Sequence, residues 1–199
     1  INVLSTSSVE KTKYIQKGIR EKLLCNHCEQ YFSVIEKYAR GILYGGVEIQ
    51  IAEEKSRILL KDIDYKKLKL FQLSLLWRAS VAENDFFSEL NTGPHEDILR
   101  QMLCARNPGD SYEYGCTMIF YALGEDKLMG ELIRQPSLKW IDNHRCYKFV
   151  LGGCLWIFVV SKHSRNFIWR ELFLTKDGNL TILKKKAKND QELRKLIGI

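Results

Sequence analysis

Two cysteines near the N-terminus, Cys25 and Cys28, are the residues whose type and spacing point most directly to chemistry. Two intervening residues allow a tight turn to aim both thiols at one metal ion, and thiolate sulfur suits Zn²⁺. A structural zinc site needs four ligands, so this pair supplies half of one. The sequence contains no second Cys-x-x-Cys, and its other four cysteines are scattered singly through apolar segments.

Two other interpretations of the cysteine pair stay open. A redox-active dithiol has the same spacing, although the strand-then-helix context of thioredoxin-like proteins is missing around Cys25. The third interpretation is two neighbouring structural cysteines that bind nothing. Two single histidines elsewhere, His144 and His163, are candidates for a general base, but isolated loop histidines are usually only solvated. His95 and Glu96 lie at a helix N-terminus that could hold an anion, although acidic residues there more simply complement the helix dipole.

The segment after Cys28 has the period of an amphipathic helix. Phe32, Ile35, Tyr38 and Ile42 recur at spacings of three and four, with charged residues between them. This pattern predicts a helix from Glu29 to about Ile42.

With this helix, the run Leu23-Leu24-Cys25-x-x-Cys28-Glu29 resembles the second half of the zinc-stapled His-Asn-His (HNH) endonucleases, which are treble-clef-like. The resemblance implies that Cys25 and Cys28 are structural zinc ligands and that Glu29 binds a catalytic Mg²⁺ or Mn²⁺. In that family an upstream Cys-x-x-Cys supplies the other two zinc ligands. A strand His between the pairs activates water while the catalytic metal stabilises the phosphate.

The sequence departs from the HNH pattern in three ways. Glu29 stands where the family has His or Asn, although a carboxylate is also a ligand for Mg²⁺. Arg20 stands where the family has its middle Asn. The first cysteine pair and the catalytic His would lie before Ile1, so we expect a longer natural protein and no complete nuclease in this chain alone. The stretches 64–79 and 93–96 resemble uncharacterised bacterial proteins to which no activity is attached.

Composition bounds the class of protein. The 199 residues include 31 Lys and Arg against 24 Asp and Glu, a net charge of +7, and 45% are hydrophobic. Such a chain is folded rather than disordered or fibrous. The longest uncharged run, Phe149 to Ser161, is too short to span a bilayer. No leader sequence is evident, and six cysteines in a chain of this size favour a reducing, cytoplasmic setting.

Basic residues concentrate in an N-terminal arm, residues 11–22, and in a lysine run near the C-terminus, residues 184–188. Lysine contacts phosphate without reading sequence, so both segments are candidates for binding DNA. The alternative is that both are ordinary solvated faces of a mildly basic protein. The candidate nucleic-acid-binding residues are Lys17, Arg20, Lys22, Lys184, Lys185 and Lys186.

The rest of the chain predicts two further helices and several hairpins. One helix runs from Tyr65 to about Ala82, capped by Asp62 or Asp64, and another opens at Gly93-Pro94 and ends near Cys104. Val47 to Leu60 reads as a hairpin. Three later hairpins are expected in the ranges 114–133, 147–161 and 167–183, and a short C-terminal helix at 189–197.

These patterns together predict an α+β fold. A small zinc-knuckle-like, treble-clef-like module, residues 1–46, precedes an α+β domain, residues 47–199, with two central helices on a mostly antiparallel sheet with three hairpins. The favoured function is a nucleic-acid-directed protein of HNH-like descent, a metal-dependent DNA endonuclease once its upstream half is present. The alternative is a non-enzymatic scaffold that binds a protein partner or a second copy of itself, with a structural zinc or no metal. No membrane partner is expected.

Overall fold

A computed structural model describes residues 2–4, 13–14, 21–122 and 132–186 of the chain. The helices are α1 (Asn26–Tyr44), α2 (Tyr65–Val81) and α3 (His95–Cys104), with 3₁₀ turns at Asp85–Phe87 and Arg170–Leu172. The strands are β1 (Asn2–Leu4), β2 (Lys13–Tyr14), β3 (Gln50–Glu53), β4 (Arg57–Lys61), β5 (Cys116–Ala122), β6 (Leu132–Ile141), β7 (His144–Leu151), β8 (Cys154–Val159) and β9 (Leu180–Lys186).

The described strands form one sheet in the order β2-β1-β6-β7-β8-β5-β9-β4-β3. Six of its eight strand pairs are antiparallel, and β1–β6 and β5–β9 are parallel. The predicted α+β class with a mostly antiparallel sheet is therefore confirmed.

The three helices cover one face of the sheet. Asp64 caps α2 by accepting a hydrogen bond from the Lys67 backbone N–H at 3.0 Å, and the apolar residues that follow point in several directions. Leu68, Leu70 and Leu73 are almost fully buried, as expected for a central helix that is apolar nearly all round. Side chains of α1, including the buried Ile35, belong to the same apolar cluster as those of α2 and the sheet.

The opposite face of the sheet has its own apolar cluster. The segment between β8 and β9 carries Phe167 and Phe173, whose rings stack with centroids 5.7 Å apart. These rings pack against the second face of the sheet, in one cluster with Ile119 of β5 and Val159 of β8. Because both faces are covered, all six residues of β8 are buried, which explains its unbroken apolar sequence.

Two of the three predicted C-terminal hairpins are wrong. β5 pairs with β8 and β9, whereas β6 pairs with β7 and β1, so 114–133 is not a hairpin. The range 167–175 holds a 3₁₀ turn rather than a strand, because its aromatic residues pack on the second face. β9 instead lies between β4 and β5.

The hairpin of β7 and β8 around Gly152-Gly153 is confirmed, as is that of β3 and β4. A hairpin of β6 and β7 was missed: Asp142 and Asn143 both have positive φ, 49° and 58°, and form its two-residue turn, an arrangement typical of type I′. The predicted C-terminal helix at 189–197 lies outside the described residues.

No helix within the described ranges is long and apolar enough to cross a membrane.

Candidate functional site

The two cysteines of the Cys-x-x-Cys pair lie at the N-terminus of α1. Cys25 is the N-cap residue, with an extended backbone at φ −77° and ψ 161°. Its carbonyl oxygen accepts the first helical hydrogen bond, from the Glu29 N–H at 2.9 Å. Cys28 therefore lies in the first turn, one turn after Cys25 and on the same side of the helix. Cys25 is exposed and Cys28 is half-buried.

The two thiols interact with each other and with the helix N-terminus. The backbone N–H of Cys28 and then the Cys28 thiol donate hydrogen bonds to the Cys25 sulfur, and these lower the pKa of Cys25. The same thiol–thiol hydrogen bond, followed by burial, raises the pKa of Cys28. Cys25 is therefore the thiol that ionises first, and the thiolate is the form that attacks disulfides or binds metals.

Cys28 faces a cavity of about 90 Å³ between the start of α1 and the end of α3. Its mostly apolar wall also contains Cys104 and Trp77, whose indole N–H is buried with no hydrogen-bond partner among the described residues. Arg106 closes one side and lies over the Tyr31 ring, 4.3 Å from its centroid. The cavity therefore combines an apolar pocket with two thiols and a cationic rim.

The described residues offer two neighbouring thiols, Cys25 and Cys28, rather than the four ligands of a zinc site. All six cysteines and all four histidines lie within 21–122 and 132–186. Within the described ranges, no three His, Cys, Asp or Glu side chains form a group that could hold a metal ion. Cys116, Cys146 and Cys154 are buried in the sheet, and burial raises the pKa of each thiol. The residues fit half of a thiolate site, and the second half would come from outside this set.

Glu29 faces a different cavity from Cys28. Its cavity, about 470 Å³, is also lined by Glu21 and Arg78. The Glu21 carboxylate accepts hydrogen bonds from the backbone N–H groups of Glu83 and Asn84, at 2.9 and 3.3 Å. His27 lines the other cavity, together with Cys28.

Lys22 and the lysine run of β9 lie at opposite ends of α1. Lys22 is exposed three residues before the N-cap, and Lys17 and Arg20 fall outside the described residues. Lys184 and Lys185 line a cavity with Tyr44, the last residue of α1. A helix of 19 residues is roughly 28 Å long at 1.5 Å per residue. The described lysines therefore form two separate patches rather than one surface.

The lysine run itself is not uniform. The Lys184 ammonium pairs with the Glu53 carboxylate, so much of its charge is already compensated. Lys185 and Lys186 are exposed. Along β9 these side chains alternate between the two faces of the sheet.

The chain matches no family model, no curated protein and no solved structure. Its functional assignment therefore depends on the geometry of the site.

The other histidines do not join the cysteine pair. His95 lies at the start of α3, where its Nδ1 is 3.0 Å from the Tyr114 hydroxyl. Burial, followed by the nearby Arg145 and Lys162, lowers the pKa of His95. The His144 Nδ1 is 2.6 Å from the Asp142 carbonyl oxygen. Each of these histidines has a local partner, and neither faces Glu29 or the thiols.

One titratable residue escaped the sequence analysis. Lys69 lies in the apolar run of α2 and is only 1% exposed. Its Nζ donates to the Tyr114 carbonyl oxygen at 3.0 Å, and burial lowers the pKa of Lys69 to about 8. A lysine flanked by Leu68 and Leu70, in a helix apolar on more than one face, was the available signal.

Proposed function

We propose that this chain is a nucleic-acid-directed protein of HNH-like descent and that Cys25 and Cys28 hold half of a structural zinc site. The observation that carries the proposal is the position of both thiols in the first turn of α1. The antiparallel strands β1 and β2 precede this helix. The resemblance likewise places the second cysteine pair directly before a helix.

The chemistry of the pair supports zinc. Both thiols belong to the start of one helix, and the lowered pKa of Cys25 favours the thiolate that Zn²⁺ requires. Zinc would fix the start of α1 to whichever segment supplies the other two ligands, so its role would be structural. We place that second pair outside the described residues.

The charge next to the pair supports a polyanionic partner. Lys22 is exposed, and Lys17 and Arg20 precede it in the sequence, so three cations lie within nine residues of Cys25. Lysine and arginine bind the phosphate backbone through charge, and this binding weakens as salt displaces them. We therefore assign the arm before α1, rather than the run at the end of β9, as the main DNA-binding segment.

Glu29 is our candidate ligand for a catalytic Mg²⁺ or Mn²⁺. It is exposed, and its cavity has room for a hydrated cation next to a phosphate. Hydrolysis also needs a general base, and no histidine among the described residues lines that cavity. We therefore propose endonuclease activity only for a protein that supplies the upstream strand His of the family.

The zinc assignment predicts that the zinc content of the protein depends on both thiols. A chain extended to carry the upstream cysteine pair and purified with zinc present should retain the metal, and Cys25→Ser or Cys28→Ser in that chain should lose most of it, because a site with one thiolate fewer binds Zn²⁺ far more weakly. Elemental analysis of the purified chain, per mole of protein, measures this.

Cys104→Ser is the matched control for zinc, since Cys104 is also an exposed thiol and lines the same cavity as Cys28. Its zinc content should equal that of the wild type. An extended protein that carries both cysteine pairs but is metal-free and of normal thermal stability would overturn the zinc assignment.

The nucleic-acid assignment predicts salt-dependent binding through the arm. The affinity for a DNA duplex should fall as NaCl rises, and Lys22→Ala should reduce the slope of log K against log salt by about one phosphate contact, or roughly 0.9. Fluorescence anisotropy of a labelled duplex over a range of NaCl concentrations measures both quantities.

Lys184→Ala is the control for DNA binding, because Lys184 already pairs with Glu53 and its loss should leave the slope unchanged. Glu29→Ala should leave binding unchanged too, and should abolish Mg²⁺- or Mn²⁺-dependent nicking in a chain extended to carry the upstream His. The assignment fails if binding is absent at low salt or insensitive to salt.

A non-enzymatic interaction protein is the second candidate. Trp140 is 69% exposed, and Leu138, two residues earlier on β6 and on the same face, is also exposed. Exposed aromatic residues of this kind are enriched at protein interfaces. A stable protein partner or a homo-oligomer, without affinity for DNA, would favour this function over the first.

A further inference from the structure

The Cys25–Cys28 pair has the geometry of a thiol couple that can close on itself. An N-cap residue and the third helical residue are separated by three positions, which in helical geometry places their Cα atoms roughly 5 Å apart. Disulfides form between Cα atoms about 4.4–6.8 Å apart. Cys25 as N-cap and Cys28 as third helical residue therefore allow a bond between the two sulfur atoms with little backbone movement.

The two thiols differ in access. Cys25 is exposed and Cys28 is half-buried, so an external disulfide reaches the Cys25 sulfur first. Cys28 lies behind it, directed toward the cavity under α1.

The other thiols cannot take these roles. Cys116, Cys146 and Cys154 are buried in the sheet, where a bulky disulfide cannot reach them. Cys104 is exposed at the end of α3 and has no second cysteine one turn away in its own helix. Cys104 therefore serves as an internal comparison: an accessible thiol without a resolving partner in its own helix.

We propose that Cys25 and Cys28 of the metal-free chain form a redox-active dithiol that exchanges with low-molecular-weight disulfides. The Cys25 thiolate attacks one sulfur of the external disulfide, forms a mixed disulfide and expels one thiolate, which takes a proton from water. Cys28 then loses its proton to solvent, and its thiolate attacks the Cys25 sulfur and expels the second thiolate. The balance is two protein thiols oxidised to one disulfide and one external disulfide reduced to two thiols.

This inference goes beyond the proposed function and is independent of it, because it concerns the pair without metal. It also has a consequence for a zinc-loaded protein. Two sulfurs joined in a disulfide are no longer thiolates and cannot bind Zn²⁺. Oxidation of the pair and zinc binding would therefore exclude each other.

The test uses the full chain, reduced, treated with a chelator and transferred without oxygen into oxidised glutathione. Peptide mass spectrometry is expected to find a Cys25–Cys28 disulfide in the wild type with little glutathione retained at Cys25. In Cys28→Ser the glutathione should stay on Cys25, about tenfold or more above the wild type, because a neighbouring resolving thiol acts at high effective concentration.

Cys104→Ser is the matched control and should close the Cys25–Cys28 disulfide as the wild type does. The wild-type measurement needs no variant, so the inference stays testable even if Cys28→Ser folds poorly. Equal and lasting glutathione at Cys25 and Cys104 of the wild type would overturn the inference, as would a disulfide that joins Cys104 to either member of the pair. Loss of zinc binding alone would contradict the proposed function and leave this result untouched.

Discussion

Replacing Lys69 with Met should alter the free energy of unfolding by an amount that depends on pH. Relative to the wild type, the free energy of unfolding of the variant is expected to be about 3 kcal/mol higher at pH 7 than at pH 10.5. The cause is the buried ammonium group, which has a single hydrogen bond, to the Tyr114 carbonyl oxygen, among the described contacts.

The sign follows from the direction of the pKa shift. Burial lowers the pKa of Lys69 from its ordinary 10.5 to about 8 in the folded chain, so the unfolded chain binds this proton more tightly. Between pH 8 and pH 10.5 the unfolded chain therefore carries more protons, and stability rises with pH in this window. Below pH 8 both states are protonated and the desolvation penalty of the wild type is constant.

The comparison with Met isolates this effect. Other buried groups with raised pKa values, such as Tyr114 and Cys116, titrate in both proteins and cancel in the difference. Met fills nearly the volume of the Lys stem but leaves the Tyr114 carbonyl without its donor, at a cost of about 1–3 kcal/mol that does not depend on pH. The change with pH, rather than the absolute difference at one pH, is therefore the decisive quantity.

Urea denaturation of both proteins at several pH values from 7 to 10.5, under reducing conditions, gives the difference directly. Lys66→Met is the control, since it removes a lysine from the same helix at an exposed position, and it is measured at the same pH values. A flat difference for Lys69→Met would mean that the ammonium group is not buried as described.

Replacing Gly178 with Ala should destabilise the fold by about 3 kcal/mol, through overpacking and left-handed backbone strain together. Gly178 has φ +75°, and a Cβ there would lie 2.4 Å from the Ile63 carbonyl oxygen and 2.9 Å from the Ile63 nitrogen. Backbone atoms cannot rotate away as a side chain can. The Ile63 N–H also donates to the Gly178 carbonyl oxygen at 3.1 Å, so the clash would break the contact between the turn before β9 and the segment before α2.

Gly93→Ala separates the two causes. Gly93 also has a left-handed backbone, φ +57°, but the nearest atom to a Cβ there is Asn91 Oδ1 at 4.0 Å. Its cost should be limited to the strain of the left-handed conformation, about 1–2 kcal/mol. Chemical denaturation at neutral pH measures both variants. Equal losses in the free energy of unfolding would show that the close approach to Ile63 does not add to the cost of the Gly178 substitution.

The sequence alone determined the local elements and the location of the thiol pair. The period of three and four after Cys28 predicted α1, which begins three residues earlier than Glu29 and ends two later than Ile42. The apolar run after Asp64 predicted α2, and Gly152-Gly153 predicted the hairpin of β7 and β8. Each of these depends on residues a few positions apart, so the physical causes lie within a short window of the sequence.

Only the tertiary structure decided how distant strands pair and what surrounds each candidate residue. β9 lies parallel to β5 although about sixty residues separate them, because burial of both faces, not a local turn, selects that partner. The turn at Asp177-Gly178 forms, yet it does not join two strands, since Phe167 and Phe173 pack on the second face of the sheet.

The same distinction applies to the candidate site. Its cysteine pair was readable because Cys25 and Cys28 are neighbours in the sequence, and the start of a helix is a local event. That Glu29 faces a different cavity, that Lys184 pairs with Glu53 and that Lys69 is buried all depend on segments far away in the chain. The identity of a side chain is written in the sequence, but its burial and its partners are properties of the packed fold, because contacts between distant segments create them.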